Sequence, residues 1–141
     1  PENPVTGPVH ETSAMIAGMA PSRVPGRFCF CTTKDQDLAA RGVSVALASF
    51  RETEGLSLIL TLDMAASLGF ATDLPMALIS LRVHSSLEGV GLTAAVATKL
   101  AQAGIACNMV AAYHHDHVFV PEADAEAAME LLLDLAKVPA E

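Results

Sequence analysis

A chain of 141 residues that is 52% hydrophobic and 17% charged can bury a full core, which excludes wholesale disorder and fits one compact domain or two small fused halves. Its formal net charge of −8 argues against nucleic acid or an anionic membrane surface as partner, because both would repel it. With five Phe, one Tyr and no Trp, the core must be aliphatic.

Pro1 to Glu11 carries three prolines and a glycine and is expected to be a flexible arm. Neither a basic stretch leading an apolar run nor a span of about 18 apolar residues is visible, so no leader or membrane span is expected and the cytoplasm is the expected compartment. Thr12 or Ser13 caps a short helix with Met15, Ile16 and Met19 on one side, ending before Pro21. Pro25-Gly26 signals a turn, and Arg27 to Thr32 a strand. Cys29 and Cys31 project to one face of that strand; bridging i and i+2 is geometrically poor, so they read as small buried hydrophobes.

Thr33 to Gly42 reads as a polar connection. Val43 to Phe50 alternates as a strand, Glu54-Gly55 turns the chain, and Leu56, Leu58, Leu60 and Leu62 line one face of the returning strand. Asp63 caps a two-turn helix, Met64 to Leu68, that stops at Gly69. Arg51, Glu52 and Glu54 read as a solvated turn rather than a catalytic carboxylate pair.

Past Pro75 the pattern sharpens. Ile79, Leu81 and Val83 alternate with Ser80, Arg82 and His84, a strand with one buried face. Leu92, Val96, Leu100 and Ala103 recur at helical spacing, closed by Gly104. A strand from Ala106 to Tyr113 and another at Val118 to Val120 flank His114-His115-Asp116-His117. After Pro121 comes a helix with a stripe of Ala125, Ala128, Met129, Leu132 and Ala136, acidic at its start and with Lys137 at its end, as the helix dipole favours. The segments SFRETEGLSLILTLDMAASL and AYHHDHVFVPEADAEAAMELL share an order of strand, turn, strand and helix. Two related half-units follow, in an α+β arrangement of one antiparallel sheet with helices on one face.

The stretch VHSSLEGVGLTAAVATKLAQAGI resembles the ACT domain, and with CNMVAAYHHDHVFVP and FRETEGLSLIL the chain is similar to small bacterial proteins holding two ACT-like units. The resemblance covers roughly residues 12–137. It implies a ferredoxin-like βαββαβ fold in each unit, an atypical unit over residues 12–75 and a second over 76–137, both drawing on a shared sheet. Arg27 to Thr32 is expected to complete the sheet of the second unit. The resemblance also implies a regulatory, non-enzymatic role without a cofactor, in which an amino acid or related metabolite is bound at the loop after the first strand and at the second strand, often at an interface between units. On this chain those positions are Ser85, Ser86, Leu87, Glu88, Gly89, Val90, Gly91, Leu92, Thr93, Asn108 and Val110. A homodimer, and a metabolic enzyme or regulator as target outside this chain, are implied with it. One departure is that many ACT loops place Asp or Asn before Pro-Gly, whereas here Glu88 precedes Gly89-Val90-Gly91.

The residues themselves give that loop a rationale. A helix N-terminus leaves its first N–H groups unpaired, and glycine admits a ligand close to the backbone. Gly91, Leu92 and Thr93 would then face a carboxylate, Glu88 an ammonium, and Val90 and Val110 an apolar side chain. The blander reading is close packing at a strand-to-helix junction. A ligand-free module docking on a metabolic enzyme is one alternative function. A metal protein is another: His115 and His117 share a strand face, but zinc wants three or four converging ligands, so the two are half a site.

Overall fold

In the computed structural model the described residues are 12–82 and 91–137. The expected arm Pro1 to Glu11, and Val83 to Val90, lie outside them. The elements are α1 (Thr12–Gly18), β1 (Pro21–Thr33), α2 (Gln36–Val43), β2 (Ala48–Glu52), β3 (Gly55–Thr61), α3 (Leu62–Ser67), β4 (Met76–Leu81), α4 (Leu92–Gln102), β5 (Asn108–Ala111), β6 (Asp116–Pro121), a 3-10 turn (Glu122–Asp124) and α5 (Ala125–Lys137). After α1, one order occurs twice: β1-α2-β2-β3-α3 and β4-α4-β5-β6-α5. The echo read from the sequence falls in the closing part of each repeat, although its second segment begins at Ala112, just after β5 ends.

The strands follow the hydrogen-bonded order β2-β3-β1-β4-β6-β5 in an antiparallel α+β fold, with the helices packed on the sheet. None of the helices among the described residues is long and apolar enough to cross a membrane. Two compact units emerge: a middle unit, Pro25–Ala77, and a terminal unit that takes the described residues up to Val24 and from Leu78 onward.

In the middle unit β1 and β3 pair Cys29 with Leu60 and Cys31 with Leu58, so cysteines and leucines share a face. Cys29, Leu58, Leu60 and Ala65 form the buried cluster, flanked by Leu56, Leu62, Leu68 and Phe70. The leucine alternation thus marks the core as expected, although Leu62 already belongs to α3. That helix is capped by Thr61, whose Oγ1 accepts the Met64 N–H at 3.2 Å, and not by Asp63, which sits in the first turn.

Four other expectations for this part of the chain are corrected. The connection expected over Thr33 to Gly42 contains α2, eight residues long, whose one buried residue is Gly42, with Leu38 and Ala39 half-buried beside it. Val43 closes that helix and β2 starts at Ala48; Val43, Val45 and Leu47 are exposed, and their alternation reports no buried face. Pro25-Gly26 lies inside β1, where Gly26 takes a φ of 98° without ending the strand. Phe28 to Thr33 pair with β3, so although β1 stands beside β4 in the one sheet, as expected of the strand there, the part of it grouped with the terminal unit is Pro21 to Val24 rather than Arg27 to Thr32.

In the terminal unit the helices follow their sequence patterns. Met15 and Met19 are buried near α1, Leu92, Val96 and Leu100 on α4, and Ala125, Ala128 and Leu132 on α5. Ala103, expected on the α4 stripe, is exposed at its C-cap. All six residues of β4 are buried, so both faces of this strand are covered, not one. The strand expected from Ala106 to Tyr113 shortens to the four residues of β5, and β6 begins early enough to include Asp116 and His117.

Candidate functional site

Of the eleven residues proposed from the sequence to bind a ligand, Ser85 to Val90 lie outside the described residues; Gly91, Leu92, Thr93, Asn108 and Val110 are described. Gly91 is the N-cap of α4, in the left-handed region at φ 106°, and it has no side chain with which to cap the helix. Its carbonyl accepts the Ala95 N–H at 2.8 Å, so the helix starts where the sequence placed it. Leu92 turns into the core and Thr93 outward to solvent. Positive dipole and unfilled N–H groups belong to such a terminus.

Strand β5 supplies the other positions. Asn108 stands opposite Phe119 and Val110 opposite His117, and directly opposed residues share a sheet face. His117 reaches across to β4, where its Nδ1 lies 2.7 Å from the Ser80 hydroxyl. Val110, His117 and Ser80 therefore form a row over three strands, with Asn108 and Phe119 beside it. Ser80 is 8% exposed and His117 half-buried. A neutral imidazole carries one proton, so the bond at Nδ1 fixes the complementary role at Nε2, which points away from Ser80.

Burial holds His117 below the usual imidazole range, and the neighbouring His115 adds to this, while Asp116 opposes it. Burial likewise lifts the Asp116 carboxyl above its ordinary value, against the pull of His117 and His115. Because its folded value is depressed, His117 contributes stability that is complete above its unfolded value of 6.5 and is lost as pH falls through its folded value. Asp116 has the reverse sign: its raised folded value lowers stability as pH rises from 3.8 through that value. Wild-type protein is therefore expected to lose stability between about pH 7.5 and about pH 5.5, and His117→Gln to lose less. Urea midpoints at the two pH values check this; equal losses would remove His117 from the account.

The remaining candidates assemble less. His114 and His115 sit in the turn before β6, their ring centroids 6.4 Å apart, and among the described residues no group of three or more His, Cys, Asp or Glu is placed to hold a metal. Cys29 and Cys31 are free thiols with sulfurs 3.6 Å apart. Burial, with the Cys29 thiol alongside, pushes Cys31 up to about 12, so it stays protonated; Cys29 is buried as expected, whereas Cys31 is half-buried at the margin of the cluster.

Sequence reasoning passed over Ser80 and read His117 as half a metal site. The available signal was a serine inside the apolar run Met76–Leu81, since a buried hydroxyl requires a hydrogen-bond partner.

The sequence matches two family models, both described as ACT domain, over residues 8–77 and 74–134. A crystal structure of a protein of unknown function from Vibrio cholerae, VC0802, described as a possible transport protein, is 40% identical; the match covers 89% of this chain and 95% of that one, with a TM-score of 0.78. The chain is a tandem ACT-domain protein. The ACT fold extends to more distant structures. Protein Atu0741 from Agrobacterium tumefaciens is 17% identical, with 84% of this chain and 89% of that one covered and a TM-score of 0.65. The ligand-free regulatory subunit of aspartate kinase from Thermus thermophilus is 11% identical, with 82% and 95% covered and a TM-score of 0.61. At such identities these two speak for the fold alone. A search of curated proteins gave no match.

Proposed function

We propose that this tandem ACT protein is a non-enzymatic regulator that senses an amino acid or a closely related metabolite. The reading is supported by its family and by its likeness in fold to a regulatory subunit of aspartate kinase. The observation that carries it is the α4 N-terminus, opened by a left-handed glycine that offers no capping side chain. We place the ligand at Ser85 to Thr93 with Asn108 and Val110 on β5.

Magnitudes show why one group is insufficient. A helix terminus contributes about 0.3–2 kcal/mol toward an anion, whereas micromolar binding needs about 8 kcal/mol in total. In this reading the terminus takes the carboxylate, Glu88 the ammonium, and Val90 with Val110 the apolar part. We take the protein to work as a homo-oligomer delivering its signal to a separate enzyme or regulator. The outer strand β2, with Phe50 exposed on it and Leu47 exposed just before it, supports self-association, because an uncovered sheet edge is otherwise a liability.

Thermal melts against the twenty amino acids test the proposal. A ligand at 100 times its dissociation constant is expected to add about 2.7 kcal/mol to stability. Gly91→Val should abolish that increment. If no amino acid moves the melt, the sensing role fails.

A further inference from the structure

We propose that the middle unit carries a binding site of its own: the groove between α2 and the edge strand β2 takes a small carboxylate with an apolar body. The groove measures about 610 Å³, a metabolite-sized space. Ala39, Ala40 and Val43 line it from the helix, Ser49, Phe50 and Arg51 from β2, and Leu56 from β3.

Its shape follows from the sequence. Gly42 lets α2 press on the sheet: a Cβ there would lie 2.6 Å from Leu58 Cδ1. One turn earlier the helix offers only the methyl groups of Ala39 and Ala40, which leave the space above the sheet margin unfilled. Ser49 stands opposite Leu58 and Arg51 opposite Leu56, so both project to the face that α2 covers. The result is an apolar trough with one hydroxyl and one guanidinium beside it.

The guanidinium decides the ligand. Among the described residues Arg51 has no ion-pair partner; Glu52, next in the chain, points to the opposite face and accepts a hydrogen bond from the Ser57 hydroxyl. Arginine presents a planar fork matched to a carboxylate, and a single cation suits a single negative charge better than a polyphosphate. Ser49 can donate to the same headgroup. Ala39, Ala40, Val43 and Leu56 would cover a hydrocarbon body, as in small-molecule sites that are mostly apolar with few polar groups. This site shares no residue with the one proposed on α4 and β5, so each can fail alone.

The test is amide chemical-shift mapping on the full chain, using octanoate, 1-octanol and octylamine as probes. Octanoate is expected to move the amides of Ala39 to Val43 and Ser49 to Leu56, with octanol and octylamine at least about tenfold weaker. Arg51→Gln should weaken octanoate about tenfold. Ala40→Leu should abolish binding while the melting temperature holds or rises, because leucine fills the groove and suits a helix. Equal binding of octanol, an unchanged Arg51→Gln variant, shifts elsewhere, or no shifts at all would each overturn the proposal.

Discussion

Phe119→Ala is expected to cost about 3–5 kcal/mol, the loss typical of truncating a buried phenylalanine. Phe119 is 2% exposed on β6, between Val118 and Val120, which are fully buried. Alternation sends the valines to one face and the phenyl ring to the other, so the truncation opens a cavity on the face that carries His117, Ser80 and Val110. Against a total stability of about 5–15 kcal/mol for an ordinary domain, that loss brings the terminal unit close to unfolding at room temperature. Tyr113→Ala, at a side chain 74% exposed, supplies the reference and should stay within about 0.5 kcal/mol of wild type. Denaturant titration of both variants distinguishes the cases. Equal midpoints would mean that the ring is not packed.

The parts of this fold that were legible in the sequence are those where burial imposes a period. Leu56, Leu58 and Leu60 repeat every second residue because one face of β3 lies on the middle unit's cluster. Leu92, Val96 and Leu100 repeat at helical spacing because one side of α4 is buried. The two repeats could be read from their strand-turn-strand-helix endings for the same reason. The parts misread are those where burial imposes nothing. Helix α2 is eight residues long and fully buries only Gly42, too short for a repeating apolar stripe to stand out, and the exposed Val43, Val45 and Leu47 imitate a strand face without being covered. The alternation read through β4 counted Ser80 as an outward polar residue, yet both faces of the strand are buried and Ser80 is hydrogen-bonded to His117.

The candidate site divides similarly. Gly91 was legible as a helix start because a left-handed N-cap selects glycine. The Ser80–His117 hydrogen bond was not, since it joins residues 37 apart in the chain across neighbouring strands. Only the topology brings β4 and β6 side by side. The groove above Arg51 was hidden for a further reason: it is made by small side chains on a helix the pattern did not reveal.

Gly55→Ala should destabilise the middle unit by about 2–3 kcal/mol through backbone strain joined to a clash. Gly55 closes the β2–β3 hairpin opposite Glu52 and holds a φ of 148°, in the region that L side chains rarely adopt. A Cβ at this position would lie 2.8 Å from the Thr33 carbonyl oxygen and 3.2 Å from Thr32 Oγ1. The oxygen cannot easily retreat, because Thr33 is paired with Leu56 in the β1–β3 ladder. Gly26→Ala separates the two contributions: Gly26 has a φ of 98°, but a Cβ there would meet nothing within 4 Å, so it should lose only the conformational part, about 1–2 kcal/mol. The excess of Gly55→Ala over Gly26→Ala measures the clash with β1. It should appear as a lower urea midpoint and as faster amide exchange from Leu56 to Leu60. Since Leu56 also stands opposite Arg51 and floors the groove, the same variant should weaken octanoate binding there. If Gly55→Ala costs no more than Gly26→Ala, the close approach of β1 to the hairpin is wrong, and the geometry drawn for the groove goes with it.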